Sequence, residues 1–157
     1  KLEQRDFPYM VPDFARLGTA AITPTRFLTM PPHESQVMQR LISTLEEKWK
    51  LAEINSQSRD QFNQVPCCTL MGHPRLIQEH IQILCQYLHN GIAYCHPSLR
   101  DPVLDSGIED WLLLFQLNAW YEIGVDFPGE GTVYYSIRKQ DLANLDFDNV
   151  WLIMQAT

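Results

Sequence analysis

Hydrophobic and polar positions change their rhythm along the chain. From Ser35 to about Ala52, apolar residues recur at steps of three and four: Met38, Leu41, Ile42, Leu45, Trp49 and Ala52. That spacing predicts a helix with one apolar face. Ser35 fits as its N-cap, because a hydroxyl can accept an orphan N–H of the first turn. Glu46, Glu47, Lys48, Lys50 and Glu53 read as its solvated side. A second stripe, Ile77, Ile81, Leu84, Cys85 and Leu88, predicts a helix from Leu76 to about His89, ended by Asn90-Gly91.

The last third has a different pattern. Trp111 to Leu117 is a continuous apolar run, as in a strand buried on both faces. Thr132 to Arg138 alternates, with Val133, Tyr135 and Ile137 on one face and Thr132, Tyr134, Ser136 and Arg138 on the other. Val150 to Gln155 reads as another buried strand, preceded by a short helix or turn at Gln140 to Asn144. Between the first two strands lie Gly129 and Gly131, which read as a tight hairpin turn, because a phosphate cradle needs glycines that open a helix.

Earlier segments are less regular. Residues 1–19 read as an extended lead-in, and Ala20 to Met30 as an edge or extended segment because of Pro24. Asn55 to Gln64 reads as a polar loop, Val65 to Met71 as a short strand and Gly72 to Pro74 as a turn. Ala93 to Ser106 reads as loop, with Pro97 and Pro102 as breakers. Helices early and strands late predict an α+β fold with a mixed or antiparallel sheet and two main helices, in a single domain spanning residues 1–157.

Composition narrows the function classes. The 157 residues are 45% hydrophobic and 20% charged, which suits a globular domain. Nineteen acidic residues against twelve basic ones give a net charge of −7. That balance argues against nucleic acid and against an anionic membrane as partners, and is compatible with a basic protein partner. No apolar run approaches the ~18–20 residues that span a bilayer. Four cysteines in a chain of this size read as buried thiols in a reducing, cytoplasmic compartment.

Several groups could carry chemistry. Cys85 and His89 share a helix face, and Cys95-His96 could supply a second pair of metal ligands, although the paired CxxC knuckle of zinc sites is missing. Cys68 with His73, or Cys95 with His96, are the thiol–base pairings available to a nucleophile. Asp101, Asp105, Glu109, Asp110, Asp126 and Glu130 read as solvated loop acids. Trp111 and Trp151 read as core, whereas Trp120 and Tyr121, at a strand end, are candidates for an exposed recognition surface.

Four segments, in order, carry a family resemblance. MGHPRLIQ (residues 71–78) is similar to an LGYPxxIQ segment of YwqG-like proteins, and CQYLHNGIAYC (85–95) to the segment that follows it there. WLLLFQL (111–117) resembles their W-x-LLLQ strand, and residues 131–155 their closing pattern. The resemblance implies an α+β fold and a bacterial cytoplasmic protein of which an N-terminal portion is absent. It also implies an immunity-type role in which the protein binds a toxin. It supplies no catalytic residues and no cofactor. The chain departs from the pattern at His73, where tyrosine is usual, and at residues 125–131.

Among the motif residues, Gly72 and Gly131 read as turn glycines, and Leu113 and Phe147 as core. Gln116 and Gln155 fall in or at the end of apolar strands, where a buried amide must find partners. They are expected to bond each other or the backbone, or else to line a polar pocket with Arg138. A non-enzymatic interaction module is therefore the first expectation. A small-molecule site or enzyme built from His73, Gln78, Gln116 and Arg138 is the alternative, and the Cys/His metal site is a third.

Overall fold

The computed structural model describes residues 23–24, 26, 29–31, 35–44, 68–78, 80–92, 100–121 and 124–157. Expectations for residues 1–19, the polar loop at 55–64, the end of the first helix, and Cys95-His96 fall outside them. Helix α1 (Gln36–Thr44) opens as its sequence requires, with the Met38 N–H donating to Ser35 Oγ at 3.1 Å. Strand β1 (Cys68–Leu70) and helix α2 (Ile81–His89) follow, and α2 closes with Gly91 at φ 80°. After α3 (Pro102–Asp105) come β2 (Trp111–Asn118), β3 (Thr132–Arg138), α4 (Lys139–Ala143) and β4 (Trp151–Gln155).

The four strands form one antiparallel sheet in the order β1-β2-β3-β4, so the fold is α+β. One face carries Trp111, Leu113, Gln116, Tyr134, Ser136, Ile153 and Gln155, all buried. Helix α2 supplies Ile81 and Cys85 to this face, and Leu76, Leu84, Leu88 and Trp151 pack against the cluster. On β3 the alternation predicted from sequence is present. The more polar of its two faces meets α2, and on the other face Val133 and Ile137 are buried as well.

A β-bulge decides which β2 residues face inward. Leu113 pairs with Ser136 and Phe115 with Tyr135, which leaves Leu114 as the extra residue. Strict alternation from Trp111 and Leu113 would turn Gln116 to the opposite face. The inserted residue resets the parity, and Gln116 and Asn118 join Trp111 and Leu113 on the core side.

Five expectations need correction. Helix α2 begins at Ile81 rather than Leu76, and in the segment before it the N–H groups of Arg75, Ile77 and Gln78 donate to side chains of the sheet. Pro102 begins a helical turn instead of breaking the chain. It occupies the first turn, where its missing N–H costs nothing, and Asp101 caps the Val103 N–H at 2.8 Å. Strand β4 is an edge strand in which Leu152 and Met154 are about half exposed, and Phe147 is likewise exposed rather than core. Gly129, at φ 63°, lies in a single turn (Pro128–Glu130) within a longer connection that also contains a Trp120–Val125 bridge, so no tight hairpin forms there.

Deletion variants test the bulge. Removing Leu114 keeps Trp111, Leu113 and Gln116 on the core face, and a cooperative thermal melt is expected. Removing Leu112 turns Trp111 away from the core, and the cooperative melt should be lost. Equal behaviour of the two deletions in circular-dichroism melts would contradict the assigned register.

Candidate functional site

Residues 73–78 have no repetitive structure, yet they lie on the core face of the sheet. Three side chains from three adjacent strands hold them. From β2, Gln116 Oε1 accepts the Arg75 N–H at 2.9 Å. From β3, the Tyr134 hydroxyl donates to the Arg75 carbonyl at 2.6 Å. From β4, Gln155 Oε1 accepts both the Ile77 and Gln78 N–H groups, at 3.0 and 3.1 Å. Gln78 Nε2 returns a bond to the Ala156 carbonyl at 2.6 Å. The Gln116 amide is oriented in turn, because its Nε2 donates to Asn118 Oδ1, which also accepts from Thr132 Oγ1.

The buried amides therefore bond the backbone and Asn118. The crossing segment begins at Gly72, φ 86°, where an added Cβ would stand 2.6 Å from Thr29 Oγ1. That same hydroxyl accepts the His73 N–H at 2.9 Å. The half-buried His73 imidazole has its pKa lowered by desolvation.

This arrangement brings His73, Gln78 and Gln116 to one crossing segment. It does not bring Arg138 there. Arg138 lies four residues from Tyr134 along β3, about 13 Å at the rise of an extended strand. It makes a two-toothed ion pair with the buried Asp141, at 2.6 and 3.0 Å. His89 stands near this pair and meets the Trp111 ring edge-on at 5.7 Å. Burial lowers the His89 pKa first and the Arg138 charge lowers it further, with Asp141 opposing.

Cys85 is fully buried among core residues. Burial pushes its thiol up to about 11, against the smaller opposing effect of the Ser136 hydroxyl, so the nucleophilic thiolate is disfavoured. Cys68 is half-buried at the start of β1. Among the described residues, no group of three or more His, Cys, Asp or Glu side chains is placed to hold a metal ion.

A second polar centre, not anticipated from sequence, surrounds the buried Tyr87. Its hydroxyl donates to Asp105 Oδ1 at 2.9 Å and accepts the Asp101 N–H at 2.7 Å. Arg100 pairs with Asp105 at 2.9 Å. The segment from Tyr87 to Asp105 contained the parts, but only the folded chain places Tyr87 beneath α3.

At the β2–β3 end of the sheet, Trp120 is half-buried and bridged to Val125, while Tyr121 is 60% exposed. The Tyr121 phenol titrates above its usual range, raised by desolvation and then by the charges of Glu130 and Asp126.

No helix among the described residues is long and apolar enough to cross a membrane. The family model for "Domain of unknown function (DUF1963)" matches residues 10–156. A search of the curated proteins finds no match.

The Tyr134 hydroxyl yields a pH prediction. Burial raises its pKa from an ordinary 10.0 to about 12, against lowering by the Ile77 backbone, the Thr132 hydroxyl and the Arg75 charge. The folded state holds this proton more tightly than the unfolded chain. The stability it confers is complete below pH 10 and is lost as pH rises through about 12. Tyr134→Phe should cost about 1 kcal/mol at neutral pH and should flatten the alkaline fall. Denaturant titrations across pH 8–12 check this, and an unchanged alkaline slope in the variant would contradict it.

Proposed function

We propose that this chain, which belongs to the family described as "Domain of unknown function (DUF1963)", is a protein-interaction module that uses the exposed end of its sheet. The observation that carries the reading is Tyr121, 60% exposed beside Asp126 and Glu130. A rigid aromatic ring gives contact area at little entropic cost, and flanking carboxylates favour a basic partner. The net charge of −7 acts in the same direction. Gln116, Gln155 and Arg138, the strongest polar candidates for a catalytic or ligand pocket, are occupied by bonds within the fold, which supports binding over chemistry.

The resemblance to YwqG-like proteins gives this proposal its finer form. The partner is a toxin, the role is immunity by occlusion, and the setting is a bacterial cytoplasm. Within that form, Trp120 positions the loop and Tyr121 makes the contact.

Native mass spectrometry of the protein purified from its own cells identifies the partner, and titration of that partner against variants tests the surface. Tyr121→Ala should weaken binding about tenfold or more, equivalent to at least about 1.4 kcal/mol. Its thermal melt should match that of the parent. Unchanged affinity in both Tyr121→Ala and Glu130→Gln would remove the proposed surface.

A further inference from the structure

Strand β4 ends the sheet among the described residues. In an antiparallel ladder, alternate residues direct their N–H and C=O groups toward the neighbouring strand and away from it. The Thr157 N–H reaches back to the Gly129 carbonyl at 3.2 Å, which places the odd-numbered residues on the β3 side. The peptide groups of Leu152 and Met154 therefore point outward. The next outward carbonyl, that of Ala156, already accepts from Gln78 Nε2. The side chains of Leu152 and Met154 are half exposed on the outer face.

Folded proteins usually blunt such an edge with lysine, proline or a bulge. Trp151 to Gln155 contains no charge and no proline, and it pairs with β3 in unbroken register. The two ends of the strand are acidic. Asp146 and Asp148 precede it, and the Asp146 carboxylate accepts from the Asp148 N–H and Asn149 Nδ2. At the far end, the turn carrying Glu130 is tied to Thr157 through the Gly129 carbonyl. Arg138, at the end of β3, is engaged by Asp141.

We infer that the β4 edge receives an extended peptide strand, apolar at alternate positions and flanked by Lys or Arg, by strand addition. Main-chain bonds to Leu152 and Met154 would supply affinity, their side chains a place for alternate apolar residues, and the acidic ends a preference for basic flanks. Charge decides against a second copy of this chain. An antiparallel pairing of two β4 strands about Ile153 would bring Asp148 of each copy toward the Glu130 turn of the other. This inference rests on the interaction reading; the two surfaces share the Glu130 turn, but Met154 lies on the β4 edge and Tyr121 does not, so variants at these two positions let each surface fail without the other.

The test uses a synthetic peptide of alternating valine and threonine with two lysines at each end, a glutamate-flanked counterpart, and calorimetric titration of the whole chain. Met154→Pro removes an outward donor without taking a bond from the β3 ladder, and Met154→Lys places a charge on the edge. The lysine-flanked peptide should bind the parent with Kd on the order of 100 μM. Binding should be weaker by about tenfold or more for both variants and for the glutamate-flanked peptide, while the variants' melts stay at the parent's temperature. Absence of saturable binding, or equal binding to parent and variants, would overturn the inference. So would self-association of the free chain that Met154→Lys abolishes in analytical ultracentrifugation, which would assign the edge to a second copy.

Discussion

A peptide segment without helix or strand can lie on a sheet's core face only if its N–H and C=O groups find partners there, because each buried unsatisfied group costs about 1–3 kcal/mol. Residues 73–78 meet that condition with Gln116, Tyr134 and Gln155. These three side chains do for the crossing segment what a neighbouring strand would do for a regular one. They also explain why an amide and a phenol stand in strands whose other inward positions are Trp111, Leu113 and Ile153.

Other features follow from this crossing. The bulge at Leu114 puts Gln116 on the required face. Gln155 accepts from Ile77 and Gln78 ahead of α2, which starts at Ile81. Once started, α2 lays Ile81 and Cys85 on Trp111 and Tyr134, and its Gln82 and Gln86 side chains bond the Trp111 carbonyl and indole N–H. The core is thus closed by a helix on one side of the crossing segment and by the amides beneath the segment itself. The surfaces left outward, the Tyr121 turn and the β4 edge, are positioned by strands whose inner faces are fixed in this way.

Much of the secondary structure was legible because it rests on local rules. Ser35 caps α1, Asn90-Gly91 ends α2, and the alternation of Thr132 to Arg138 is that of β3. Features set by contacts distant in sequence were not legible. The stripe Ile77, Ile81, Leu84, Leu88 has helical spacing, but its first member is held by Gln155, 78 residues away. The apolar β4 looked like an interior strand because hydropathy does not distinguish an edge with exposed Leu152 and Met154 from a covered strand. Hydropathy likewise gives no sign that Phe147 is exposed. At the site, the unusual feature was visible as glutamines within apolar strands. Their shared target was not, because parity alone gives no sign of the Leu114 bulge and nothing in the sequence links Tyr134 to Arg75.

Amide hydrogen exchange tests the crossing segment most directly. In the native chain the Arg75, Ile77 and Gln78 N–H groups should exchange slowly despite lying outside helix and strand. Gln155→Leu removes the acceptor of two of them and should destabilise the fold by about 2–4 kcal/mol, given the cost of each orphaned buried donor. Relative to other amides of that variant, protection should fall at Ile77 and Gln78 and persist at Arg75, whose acceptor is Gln116. Exchange of all three at free-peptide rates in the native chain would contradict the claim that the sheet's side chains hold this segment.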